Sequence, residues 1–210
     1  MSIYKTMIFS EIKNVISVLD VSKISTNRLQ VLQPLINFIQ LKVSNQQDIR
    51  LNFICTHNSR RSHLAQIWSQ TLAAYFDMRQ VFCYSGGTET TELFPKVLET
   101  LKISGFKVEI TSDGINPIYN IYYSSNDSPI KGFSKIYNND FNPQSEFAAI
   151  LTCSQADADC PLIAGAEQRI SIPFDDPKLF DKTTQQDEKY KERSIQIATE
   201  LYYVFSKIKL

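Results

Sequence analysis

Five residues separate Cys55 from Arg61 in the stretch Cys55-Thr56-His57-Asn58-Ser59-Arg60-Arg61-Ser62. The apolar run Leu51 to Cys55 precedes it and a helical pattern follows, so it reads as a tight loop between a buried strand and a helix start. Backbone N–H groups in such a loop and at a helix N-terminus point inward and favour an oxyanion. Arg61 at the loop's end can fork two donors onto that anion. The same dipoles and charges favour Cys55 as thiolate, the form that attacks. The pattern therefore describes a nucleophile beneath a tetrahedral oxyanion such as phosphate or arsenate, and a reaction that is attack on phosphorus or arsenic. Thr56, His57, Asn58, Ser59, Arg60, Arg61 and Ser62 are the candidate oxyanion-binding residues. A chance cysteine, five residues, arginine, then serine or threonine is expected about 0.02 times in a chain of this composition.

Two further features carry chemistry. Asp175 and Asp176 precede Pro177, which taken alone is an acidic turn. Cys153 and Cys160 stand seven positions apart in Cys153-Ser-Gln-Ala-Asp-Ala-Asp-Cys160-Pro161, just after a strand-like run. Their spacing is not that of a zinc site, with or without nitrogen from His57 or His63, and no metal is expected. The polar residues around Asp157 and Asp159 also set them apart from core cysteines. Cys83 lies inside an expected strand and reads as a small buried hydrophobe.

These residues must be positioned by a chain of 210 residues, 43% hydrophobic, with 22 basic and 22 acidic side chains and four cysteines. That length suits one domain with an appendage. Balanced charge argues against a nucleic-acid binder that works by broad phosphate neutralisation. No apolar run approaches the roughly 18 residues of a membrane span, and Lys5, Glu11 and Lys13 interrupt the N-terminal stretch, so no secretory leader is expected. A cytoplasmic location follows as an expectation, and there four cysteines do not form a disulfide framework. The last third of the chain is mildly acidic, as a solvated surface would be.

Residues 1–48 form a helical extension: Ile8, Ile12, Val15, Ile16 and Leu19 make one stripe, and Leu29, Leu32, Ile36, Ile39 and Val43 a second. Pro34 should kink the second helix or mark its start. This hairpin reads as a structural appendage, with a partner-binding or dimerising role as the alternative. From residue 49 to 210 strands and helices alternate. The strand ending at Cys55 leads into a helix carrying Leu64, Ile67, Trp68, Thr71, Leu72 and Tyr75. Val81 to Tyr84 turns at Ser85-Gly86-Gly87-Thr88 into a helix over about 90–104. An insertion over about 114–145 contains a hairpin, Tyr119 to Tyr123 and Gly132 to Tyr137, whose tyrosines suit an edge, a lid or a partner surface. Phe147 to Thr152 and Arg169 to Ile172 are buried-strand runs, and a helix with Ile197, Leu201, Val204, Phe205 and Ile208 inward ends the chain. The fold class is α/β with a parallel sheet, and its site lies at the carboxyl ends of the strands.

Cys55 through Ser62, Ser85-Gly-Gly-Thr88 and Asp175-Asp176-Pro177 resemble the low-molecular-weight protein tyrosine phosphatase superfamily over about residues 49–208. The resemblance implies a flavodoxin-like, four-stranded parallel sheet flanked by helices, with Cys55 attacking, the loop and Arg61 binding the oxyanion, and Asp176 as general acid. The Cys153–Pro161 segment and Phe174-Asp175-Asp176-Pro177 resemble the thioredoxin-coupled arsenate reductases of that superfamily. That resemblance implies a relay in which Cys55 takes up arsenate, Cys153 displaces arsenite, and Cys160 closes a disulfide with Cys153. Thioredoxin would reduce that disulfide, with no bound cofactor. If 153–160 is helical, its seven steps rise about 10.5 Å, beyond the roughly 7 Å Cα limit of a disulfide, so the segment must unwind on oxidation. A phosphomonoester hydrolase using Cys55, Arg61 and Asp176 is the alternative, although Lys178 and Leu179 replace the aromatic that phosphotyrosine phosphatases usually carry after Asp-Pro. A non-catalytic oxyanion-binding or interaction module is a further one. The chain departs from its relatives at His57, where glycine is common, at Arg60, where many carry a second cysteine, at Gln66, where the reductases often have glutamate, and in the insertion.

Overall fold

A computed structural model describes residues 5–159 and 162–210. Cys160 and Pro161 of the expected redox segment lie outside the described residues. Four strands form the central sheet: β1 (Ile49–Cys55), β2 (Val81–Gly87), β6 (Phe147–Leu151) and β7 (Ala166–Ser171). They run parallel in the order β2-β1-β6-β7. The chain leaves β1 toward one neighbour and returns to the other, so the strand order reverses at β1. The crevice of such a sheet opens beyond the carboxyl ends of its strands at that reversal, which is where β1 ends in Cys55.

Side chains alternate across each strand. Ile49, Leu51 and Phe53 of β1, with Ala148 and Ile150 of β6, face the larger core. On that side lie α1 (Ser10–Ser17), α2 (Thr26–Ser44), α3 (Arg61–Tyr75), α4 (Pro95–Ile103) and α6 (Gln186–Ser206), which add Ile12, Leu35, Trp68, Leu101, Tyr190 and Leu201 to the same cluster. The opposite side chains, Ile54, Phe147, Ala149 and Leu151, pack with Cys153, Ala156 of α5 (Ser154–Asp159) and Tyr137 in a smaller cluster. Burial on both faces explains the uninterrupted apolar runs of β1 and β6.

The described part of the N-terminal extension, residues 5–48, packs on this core. Ile8, Ile12, Ile16, Leu32, Leu35 and Ile39 belong to the larger cluster, and Lys42 and Arg28 reach Glu167 and Glu200 at 2.7 and 2.8 Å. Ser25 caps α2 by accepting the Arg28 N–H. The helix therefore begins before Pro34 and runs through it.

The insertion contains a hairpin of β4 (Ile118–Tyr122) and β5 (Ile130–Gly132), whose second strand lies earlier than the expected Gly132 to Tyr137 and meets it only at Gly132; an unexpected outer strand, β3 (Lys107–Ser112), completes an antiparallel sheet in the order β3-β4-β5. Only Val108 and Ile110 supplied the alternating signal of β3, and Ile110 is exposed. Among the described residues no helix is long and apolar enough to cross a membrane.

Candidate active site

The β1–α3 loop is held by its own carbonyls. Cys55 O accepts the Thr88 N–H at 3.2 Å, Thr56 O the Glu89 N–H at 2.8 Å, and Ser59 O the Phe94 N–H at 3.1 Å. His57 O accepts the Ser134 hydroxyl at 2.9 Å. The peptide bonds of the described residues are trans, so each carbonyl drawn outward leaves the next N–H directed the opposite way, toward a cleft lined by Cys55, His57, Ser59, Arg60, Arg61 and Asp176. Gly87 allows this approach: a Cβ there would stand 2.6 Å from Thr56 O and 2.7 Å from Asn58 N. Asn58 turns the loop at φ 45°, a left-handed conformation that asparagine tolerates.

Cys55 lies at the base, 3% exposed, with its Sγ 3.1 Å from Ser62 Oγ. Ser62 in turn accepts the Asn58 Nδ2 donor at 2.9 Å. A hydroxyl fixed in this way can donate to a thiolate. Arg61 is engaged on two of its nitrogens: one donates to Phe174 O at 3.0 Å, the other to Asp176 Oδ2 at 2.6 Å. Its buried Nε has no partner. Asp176 caps a 3-10 turn, Pro177–Phe180, by accepting the Lys178 N–H at 3.0 Å. The neighbouring Asp175 is 91% exposed on its side chain and meets Arg193 instead, so Asp176 is the carboxylate that reaches the cleft.

Cys153 is 1% exposed at the start of α5 and accepts the Ala156 N–H at 3.3 Å. Its Sγ is 3.5 Å from Thr56 Oγ1, and it shares the smaller apolar cluster with Cys55. The structure thus gathers Cys55, Arg61, Asp176 and Cys153 around one loop. Cys83 is buried in β2, where desolvation pushes its thiol well up.

Two loop residues have roles that their types did not suggest. Arg60 turns its side chain away from the cleft floor: it bonds Asp181 at 2.7 Å and the Tyr190 hydroxyl at 2.6 Å, and stacks 4.0 Å over the Phe94 ring. Its guanidinium is committed to Asp181, Tyr190 and the Phe94 ring. Tyr190 donates to Asp181 at 2.7 Å, and burial first, then this bond, raises its phenol well above the ordinary range. His57 sits at the rim, half exposed, with Nε2 3.4 Å from Glu89. His63 is fully buried on α3 beside Ser85, where desolvation first, and then the nearby Lys135, push its pKa well down. Asp181, Ser134 and Lys135 went unread in the sequence because each is joined to the loop only through contacts distant along the chain.

No family model matches the sequence. The chain is similar to arsenate reductase 2 of Staphylococcus epidermidis, with 31% identity over 125 residues that cover 60% of this chain and 76% of that protein. It is also similar to an arsenate reductase of Staphylococcus aureus, with 32% identity over 126 residues and the same coverage, 60% and 76%. In fold it is similar to a low-molecular-weight phosphotyrosine phosphatase from Vibrio cholerae, with a TM-score of 0.50 and 17% identity, covering 75% of this chain and 94% of that one.

Proposed function

The chain belongs to the arsenate reductase branch of the low-molecular-weight protein tyrosine phosphatase superfamily, and from that premise we propose that it reduces arsenate to arsenite by a thiol relay starting on Cys55. The observation that carries this reading is the second buried thiol, Cys153, set against loop residue Thr56. Hydrolysis of a phosphomonoester would use Cys55, Arg61 and Asp176 with water in the second step, and needs no such thiol.

In the proposed sequence, arsenate enters the loop and takes the Arg61 guanidinium from Asp176, exchanging one charge-assisted pair for a forked one. The Cys55 thiolate attacks arsenic, and an arsenate oxygen leaves as water after accepting a proton from Asp176. The Cys153 thiolate then attacks Cys55 Sγ. A sulfur–sulfur bond forms, the sulfur–arsenic electron pair passes to arsenic, and arsenite departs in the reduced state. Attack of Cys160 on Cys153 Sγ releases Cys55 as thiolate. The resulting Cys153–Cys160 disulfide accepts two electrons from an external dithiol, for which thioredoxin is the proposed donor. α5 begins immediately after Cys153, and if the helical path continued to Cys160, bridging the two would require that turn to unwind.

The test is turnover of arsenate with thioredoxin, thioredoxin reductase and NADPH, alongside hydrolysis of p-nitrophenyl phosphate. Cys153→Ser and Cys160→Ser should each abolish multiple-turnover reduction and spare hydrolysis, whereas Cys55→Ser should abolish both. Unchanged arsenate turnover in Cys153→Ser would refute the relay.

A further inference from the structure

The inserted segment is mounted directly on the oxyanion loop. Ser134 is 2% exposed. Its hydroxyl donates to His57 O at 2.9 Å and accepts the Thr91 N–H at 2.9 Å. Its main chain is gripped on both sides by Asn116, which accepts the Ser134 N–H at 3.0 Å and donates to Ser134 O at 2.7 Å. The next residue, Lys135, donates its N–H to Asn58 Oδ1 at 3.0 Å. Beyond it, the chain pairs with the end of β2: Gly87 N–H bonds Lys135 O and Tyr137 N–H bonds Gly87 O, both at 2.9 Å. The Asn58 amide is thereby fixed at its oxygen, and its nitrogen holds Ser62 at 2.9 Å, which holds Cys55 Sγ at 3.1 Å.

We infer that this insertion is part of the anion-binding apparatus, with Ser134 a positioning residue that aims the Asn58 N–H into the cleft. The inference rests on reading the β1–α3 loop as an oxyanion site. A trans peptide places the His57 carbonyl and the Asn58 N–H on opposite sides of one plane. Fixing the carbonyl on Ser134 therefore fixes the donor. Of the loop carbonyls held from outside, those of Cys55, Thr56 and Ser59 bond to residues 88–94, whereas the good donor to His57 comes from the insertion. The other hydroxyl near His57 O, that of Thr91, stands at 3.4 Å, at the weak end of hydrogen-bond range.

Ser134→Ala removes that donor without adding volume. In the full-length chain, titrated with inorganic phosphate in a calorimeter, the variant should bind about five- to tenfold more weakly than the parent, the equivalent of one lost oriented hydrogen bond. Because the Asn58 backbone N–H would contact the anion in the ground state and the transition state alike, KM for arsenate should rise by the same factor with kcat within about twofold. A residue that only packed would lower the unfolding midpoint and leave both affinities alone. Unaltered phosphate affinity in folded Ser134→Ala overturns the inference, and so does a fall in kcat at constant KM. If that variant does not fold, Asn116→Ala, which frees the Ser134 main chain while keeping its hydroxyl, decides the matter: wild-type phosphate affinity there overturns it as well. If the parent chain binds no phosphate or arsenate, the reading of the loop itself fails, a result distinct from a parent that binds and a variant that binds equally.

Discussion

Lys135 contributes its main chain to the loop's mounting, and its side chain introduces a separate constraint. The amine is 2% exposed, donates to Phe133 O at 3.3 Å, and lies 4.3 and 5.4 Å from the Phe133 and Phe141 ring centres. Aromatic faces offset only part of the loss of water around an ammonium, and burial lowers its pKa to about 7. Between pH 7 and 10.5 the unfolded lysine holds a proton that the folded one has released, so stability rises with pH across that window. Lys135→Met should therefore stabilise the chain near pH 6.5, on the order of 3 kcal/mol, and the gain should shrink steadily toward pH 10. Urea unfolding at the two pH values measures it; a gain equal at both would show that the charge is not involved. Residues of this kind mark the limit of what the sequence conveys. Cys55 and Arg61 were legible because one loop contains both and their separation is itself the signal. Arg60 was not, because its partners Asp181 and Tyr190 lie more than a hundred positions away, and no local pattern distinguishes an arginine that clamps an anion from one that clamps another segment.

At the scale of elements, the 3-10 turn Pro177–Phe180 is pinned at both ends by consecutive arginines of the loop. Arg61 holds Asp176 before the turn, and Arg60 holds Asp181 after it. The second pair is largely buried, at 12% and 19% side-chain exposure, and shares Tyr190, so it should contribute more than a surface ion pair. A double-mutant cycle on Arg60→Gln and Asp181→Asn, read by urea unfolding, should give a coupling of about 1–2 kcal/mol; additive effects would mean the turn is held by other contacts. The outer edge of β2 is treated in a comparable way. Gln70 bonds Val81 O and the Cys83 N–H, Gln66 bonds Cys83 O, and Asn142 bonds Ser85 O. These side chains occupy the groups through which an edge strand would recruit another. The strands themselves were readable from their apolar runs, and the turn's acidic residues from Pro177. The glutamines were not, since on α3 they look like ordinary surface residues of an amphipathic helix.

Over the whole molecule, the N-terminal helices and the central sheet form one apolar body. Ile12 is fully buried within it, and residues 7 to 9 bond to the turn after β4, with Phe9 N–H on Tyr123 O at 3.0 Å. Ile12→Ala should cost about 2–4 kcal/mol of unfolding free energy, seen as a single shifted transition followed by both near-ultraviolet dichroism and Trp68 fluorescence. Two separate transitions would instead show that the N-terminal helices unfold independently of the sheet. The helical stripes of that region were plain in the sequence, but a stripe states only that a helix has an inner face and not which surface receives it. The pairing of Arg61 with Asp176 has a consequence at this same scale. In the proposed reading Asp176 is a resident competitor for Arg61, so an oxyanion that entered would displace a carboxylate and one that left would be replaced by it. A site of that kind would trade tightness of capture for ease of release, its guanidinium paired both before and after the anion's visit.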